Sequence, residues 1–307
     1  MKNFNMYMKN YHFAFFMIGL FILLLIFVNA EVGAENNRIK VASGIVPLET
    51  FVEKVGGEKV QTVTLIPPGY SPANYAPGSK LMKELSTANL YFTLEMPAER
   101  ANILPELDSF NKDIEVVKLN KLVAEKYKPR YFKEDHEHGE NDHSHGDVDP
   151  HIWLSPKRVI YMIDIIADTL SEYDQNNKDY YQNNAEEYKL KINKLDEEIR
   201  EELSQIKEKT VLIYHPVIGY YTDEYNLEMK AIEEDGKKAT PQKLQSLIEY
   251  AREKNVEVVF HQATIDSRQT EVIANEIGAN TVEINPLAED YIATMKEITE
   301  LIVDYNN

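Results

Sequence analysis

The chain has 307 residues and a formal net charge of −18, from 33 Lys plus Arg against 51 Asp plus Glu, and it has no cysteine. Disulfides, Cys-based zinc fingers, a Cys nucleophile and a cysteine-linked lipid anchor are therefore excluded. An acidic surface is repelled by phosphate backbones, so non-specific nucleic-acid binding is excluded too.

Lys2 and Lys9 precede an apolar run from Phe13 to Val28, followed by small residues at Ala30, Gly33 and Ala34. This order is that of a secretory signal, so residues 1–34 read as an export segment. The run is slightly short for a spanning helix, which needs about 20 residues. A cleaved signal and a retained N-terminal anchor both stay open, and either puts the body outside the cytoplasm. Lys2, Lys9 and Glu31 give the segment a net +1, leaving the body at −19.

The body alternates β-rich runs with amphipathic ones. Strands are expected at Ile39–Ala42, Val60–Ile66, Asn89–Leu94 and Ile114–Leu119, then at Thr210–Tyr214, Glu228–Ile232, Glu257–Phe260 and Asn280–Ile284. Most are apolar enough to be buried on both faces, as parallel strands are. Helical patterns fall between them, at Glu49–Val55, Pro241–Lys254 and Arg268–Ile277. The fold class is therefore α/β, with two lobes that each hold a parallel sheet flanked by helices. The expected division is an N-terminal lobe at 35–174, a linking helix at 175–208 and a C-terminal lobe at 209–307.

Between the two strand sets runs a polar tract almost free of Gly and Pro. Ser155–Tyr173 opens it, with Pro156 at a favoured first-turn position. In Lys178–Glu208, Tyr188, Ile192, Leu195, Ile199, Leu203 and Ile206 recur every three or four residues. Such a helix would run about 46 Å at 1.5 Å per residue, more than one small lobe needs. A rigid helix joining the lobes fits this length; an amphipathic hairpin or coiled coil is the competing reading.

G-x-x-x-x-G-K-[ST], G-x-G-x-x-G after a strand, G-x-S-x-G and H-E-x-x-H are all absent. Nucleotide hydrolysis, dinucleotide chemistry and serine hydrolysis lose their usual signatures. The histidines carry more information. His136, His138, His143 and His145 alternate with Asp and Glu in 133–147. Such a tract suits loose capture of divalent metal, although a solvated acidic loop has the same composition. His151 sits apart, between Pro150 and Pro156 and two residues before Trp153, the only tryptophan. His215 ends the strand Thr210–Tyr214, and His261 follows Glu257–Phe260. Ligands of open α/β sheets bind beyond the carboxyl ends of strands, so these three histidines suggest a site between the lobes.

Asp149–Pro156 resembles the D-P-H-x-W-L-S-P segment of the zinc/manganese-type metal-binding proteins of ABC importers. Tyr214–Tyr221 with Tyr225-Asn226-Leu227 is similar to that family's H-x-x-F-x-Y…Y-x-L segment. Pro67–Pro72 with Tyr75-Ala76-Pro77 resembles its first-lobe loop, and Ile284–Ala288 its last strand-end turn. The resemblance covers essentially the whole exported body. It implies two α/β lobes, a long linking helix, a metal held in the cleft and a membrane permease as partner, with a monomer expected. His151 and His215 match family ligand positions. Two other positions depart: Ala73 stands where relatives commonly have histidine, and Asn285 where they have a carboxylate. The resemblance thus leaves His151, His215, His261 and Asn285 as the expected ligands, with Asn74 and Gln262 as substitutes or supporting groups, and His136–His145 as a collecting loop. A three-nitrogen site favours Zn2+ over Mn2+ or Fe2+. An adhesin or passive metal buffer would use the same lobes. An exported zinc hydrolase would need a base such as Glu233, Glu234 or Glu289, which fall in no hydrolase motif.

Overall fold

The eight apolar runs become eight strands in two four-stranded sheets of the computed structural model, which describes residues 38–132, 147–233, 237–265 and 268–306. The export segment, His136, His138, His143, His145 and Glu234 lie outside the described residues.

The first sheet holds β1 (Ile39–Ser43), β2 (Val60–Thr64), β3 (Leu90–Thr93) and β4 (Glu115–Lys118) in the order β2-β1-β3-β4. Its connections carry α1 (Val46–Gly56), α2 (Ser79–Leu85), α3 (Pro97–Asn102) and α4 (Leu107–Phe110), and α5 (Leu119–Lys126) follows β4. The second sheet holds β5 (Thr210–Ile213), β6 (Glu228–Ala231), β7 (Val258–Gln262) and β8 (Asn280–Ile284) in the order β6-β5-β7-β8. Here β1 pairs with β3, β3 with β4, β5 with β6 and β7, and β7 with β8, all in parallel. Parallel neighbours require crossovers, which the intervening helices supply. The strand order turns back between β1 and β3 and between β5 and β7. Each sheet therefore has a switch point where two loops leave in opposite directions and a crevice opens at the carboxyl ends.

The helices α6 (Pro156–Tyr173) and α7 (Lys178–Leu203) lie between the sheets in sequence. Ser155 caps α6 by accepting from Arg158 N–H, and Pro156 occupies its first turn. The 26 residues of α7 include no Gly or Pro, and at 1.5 Å each they span about 39 Å. Its buried stripe runs Tyr181, Ala185, Tyr188, Ile192, Leu195, Ile199 and Leu203. The helix stops at Leu203, five residues before the expected Glu208, and turns at Ser204.

One helix serves both lobes. Early in α7, Asn184 Nδ2 donates to Val55 O on α1 at 2.9 Å, and Lys189 pairs with Asp164 on α6. The second lobe adds α8 (Gly219–Tyr225), α9 (Pro241–Glu253), α10 (Arg268–Ile277) and α11 (Tyr291–Asp304). Late in α7, Asp196 accepts from Tyr225 OH on α8 at 2.7 Å, and Glu198 pairs with Lys296 on α11 at 2.7 Å. Direct contacts reinforce the junction. Thr50 Oγ1 donates to Glu289 O at 2.8 Å, and the rings of Phe51 and Tyr291 meet edge to face at 5.1 Å. Trp153, almost fully buried, donates its Nε1–H to Pro286 O at 2.9 Å.

Candidate metal centre

A cleft of about 1210 Å3 opens where the carboxyl ends of both sheets meet. Loops after β2 and β3 line one wall with Asn74 and Met96, and loops after β5, β6 and β8 line the other with His215, Glu233 and Leu287. Gln262, the last residue of β7, and the segment before α6 with His151 and Trp153 complete the lining.

The backbone around His151 is held by Asp149, which is fully buried. Its Oδ2 accepts from Arg130 NH1 at 3.0 Å, and its Oδ1 accepts from the backbone N–H of His151 at 3.0 Å and from His151 Nδ1 at 2.6 Å. Three donors compensate the cost of burying a carboxylate. Tyr220 of α8 locks the same segment: its hydroxyl accepts from Arg130 N–H at 2.9 Å and donates to Asp149 O at 3.1 Å. Burial pushes the His151 imidazolium below its ordinary pKa; the Asp149 carboxylate opposes that shift, and His215 and Arg130 add to it. The ring is thus neutral at pH 7, with its hydrogen on Nδ1 against Asp149 and its lone pair on Nε2.

His215 arrives from the other lobe, at the end of β5. The two imidazole rings lie 5.2 Å apart at 80°. His215 Nδ1 lies 3.2 Å from Glu233 Oε2, so this ring too has a carboxylate behind it. The arrangement presents a pair of imidazole nitrogens to the cleft, each with the other nitrogen held. Metal-bound histidines are commonly oriented this way.

The remaining expected residues divide. Asn74 and Gln262 line the cleft, as does Ala73, which has nothing to offer a cation. His261 and Asn285 are not among the lining residues. The strand β7 runs to Gln262, two residues beyond the expected Phe260, so His261 is inside the ladder, opposite Glu283, rather than on a strand-end loop. Side chains alternate along a strand, and it is Gln262 that faces the cleft. The Nδ1 of His261 is buried without a hydrogen-bond partner among the described residues. Asn285 is exposed, and its side-chain oxygen accepts from Leu287 N–H at 3.3 Å, a local turn contact. Among the described residues, no three His, Asp or Glu side chains converge closely enough to hold a metal ion. Sequence reasoning gave Glu233 only a hydrolase role and missed Arg130 and Tyr220. All three act across strand or lobe boundaries that no local pattern marks.

A family model described as zinc-uptake complex component A, periplasmic, matches residues 41–305. The zinc-binding lipoprotein AdcA of Streptococcus pneumoniae is 26% identical over 276 residues, covering 85% of this chain and 54% of the relative. The chain thus spans about half the length of that curated relative. The manganese ABC transporter substrate-binding lipoprotein PsaA of Streptococcus mitis is 26% identical over 273 residues, covering 84% of each chain. A solved structure titled as the crystal structure of ZnuA superposes with a TM-score of 0.79 at 28% identity, covering 88% of this chain and all of that one.

Proposed function

The chain belongs to the zinc-uptake complex component A periplasmic family, and from that premise we propose that it is an extracytoplasmic solute-binding protein. It captures a divalent zinc ion in the cleft between its lobes and presents it to the membrane permease of an ABC importer. The observation that carries this reading is the pair His151 and His215, 5.2 Å apart and drawn from different lobes, each with Nδ1 against a carboxylate. Two neutral imidazoles are good zinc donors, and the amides of Asn74 and Gln262, which line the same cleft, are candidates with water to complete a four-coordinate shell. His261, held in the β7 ladder, and Asn285, in a turn away from the lining, do not take part in that shell. The acidic tract with His136, His138, His143 and His145 raises the local concentration of metal.

Manganese is the second reading, because the Streptococcus mitis relative bears that metal in its name. Manganese favours oxygen donors, and the imidazole pair supports zinc instead. The protein acts as a monomer on the outer face of the membrane or in a periplasm, as a carrier rather than an enzyme.

Competition calorimetry on the full chain tests this directly. One tight zinc site is expected, with weaker sites that vanish when residues 134–147 are deleted. The double variant His151→Ala, His215→Ala should lose the tight site. Retention of that site refutes the assignment. Tighter binding of manganese than zinc would favour the second reading.

A further inference from the structure

Beyond the end of β6 the chain stays bonded to the end of β5. Ile232 N–H donates to Ile213 O at 2.8 Å, and Glu233 N–H donates to Tyr214 O at 2.8 Å. The backbone thereby brings Glu233 abreast of the residue that follows Tyr214, which is His215. The Glu233 side chain is 9% exposed, and its Oε2 lies 3.2 Å from His215 Nδ1. An ionised carboxylate can only accept, so the imidazole nitrogen facing it must carry the hydrogen. A neutral ring with hydrogen on Nδ1 has its lone pair on Nε2. The opposite tautomer carries hydrogen on Nε2 and cannot ligate through that atom. His151 has the same relation to Asp149 at 2.6 Å, so the device occurs on both walls of the cleft.

We propose that Glu233 is a positioning residue for metal capture: its carboxylate fixes the rotation and tautomer of His215 so that Nε2 faces an incoming divalent cation. This inference rests on the proposed zinc-binding function and deepens it. Glu233 is not itself a ligand. Its oxygen is engaged with Nδ1, and its charge acts through the ring, making Nε2 a stronger donor. These backbone bonds make the contact a built feature, since they tie the segments that follow β5 and β6 and so set the separation of the two side chains.

Two variants of the full chain separate the possibilities. E233A removes both acceptor and charge; E233Q keeps an amide oxygen to accept from Nδ1 and removes the charge. In metal-free protein, imidazole 15N chemical shifts should report hydrogen on Nδ1 of His215 in wild type and E233Q, and a mixture of tautomers in E233A. Zinc affinity should fall about ten- to hundredfold in E233A, the range for loss of such a partner. The loss in E233Q should be smaller. The visible absorption of cobalt-substituted E233A should keep the wild-type band position and intensity, because the ligand set is unchanged.

Wild-type zinc affinity together with a wild-type His215 tautomer in E233A overturns the proposal. A changed cobalt spectrum in E233A makes Glu233 a ligand and also overturns it. If E233A fails to fold, E233Q decides: unchanged zinc affinity together with loss of the Nδ1–H signal overturns the proposal. Failure of the zinc-binding function would appear differently, as an absent tight site in the wild-type chain, and the metal-free tautomer signals would still judge the role of Glu233.

Discussion

Replacing Tyr220 with Phe removes one oxygen atom and two hydrogen bonds that connect α8 to the segment bearing His151. The hydroxyl accepts from Arg130 N–H at 2.9 Å and donates to Asp149 O at 3.1 Å. The ring is 1% exposed, and in the variant the Asp149 carbonyl loses its hydroxyl donor inside the protein. A buried polar group left unpaired costs about 1–3 kcal/mol, and two such groups, one of them only partly buried, give about 2–4 kcal/mol. That is a large fraction of the 5–15 kcal/mol typical of a folded domain. With a urea dependence of about 3 kcal/mol per molar for a chain of this size, the midpoint should fall by about 1 M. Asp149 is two residues from His151 and holds its ring, so zinc affinity should fall as well. The neighbouring Tyr221 is the control. Its hydroxyl bonds Thr299 Oγ1, at 2.8 Å, on the side of α8 facing α11. Tyr221→Phe should cost about 1 kcal/mol and leave zinc affinity unchanged. Urea unfolding of metal-free protein, followed by zinc competition on each variant, measures both effects. A midpoint shift under about 0.2 M for Tyr220→Phe, or equal effects of the two variants on zinc affinity, would refute the reasoning.

Further outcomes follow from the same contacts. Gly44 ends at a buried carboxylate: a Cβ there would overlap Glu99, so Gly44→Ala should lose about 3 kcal/mol in urea unfolding, the upper end of overpacking costs. Glu99 is fully buried, accepts from Tyr91 OH at 2.6 Å and Met96 N–H at 2.8 Å, and burial raises its pKa above 4.5. Its contribution is therefore full below pH 4.5 and lost as pH rises through the raised value, so Glu99→Gln should raise the Tm at pH 7.5 and not at pH 4. His151 runs the other way: its folded pKa lies below 6.5, so the unfolded chain takes the proton first. Metal-free stability should be full above about pH 6.5 and decline below it, by at most about 1.4 kcal/mol per pH unit, and His151→Asn should flatten that part of the profile.

What could be read from the chain depended on the range of the interaction. The edge strands β6 (EMKA) and β8 (NTVEI) stood out mainly by their place in the alternation with helices, whereas the central strands β3 and β5 were legible because burial on both faces leaves an apolar run in the sequence itself. The stripe Tyr188, Ile192, Leu195, Ile199, Leu203 marked α7 for the same reason, since its period is a property of one helix. The end of that helix was not marked: residues 204–208 keep a helical composition, and Ile206 is buried without belonging to it. At the site, the Pro-flanked His151 and the strand-end His215 stood out locally. His261 misled because the length of β7 sets which side chains face the cleft, and a strand two residues longer moves His261 into the ladder. Glu233 and Tyr220 lie 18 and 71 residues from the groups they hold, His215 and Asp149; the β5–β6 pairing brings the first pair together and the packing of α8 against the segment before α6 the second.

The junction of the lobes has a consequence for timing. α7 is bonded to both lobes, and Thr50–Glu289 and Trp153–Pro286 connect them directly, contacts that resist a swing of the cleft walls as separate bodies. On the proposed function, an arriving ion would meet the His151 and His215 rings already 5.2 Å apart, and the slow events would be the loss of water from the ion and the shifting of a few loop side chains. Capture on this scheme is governed by the ion's own water exchange. On the proposed function, release would then depend less on a parting of the lobes than on a change in the cleft loops, prompted by the membrane partner.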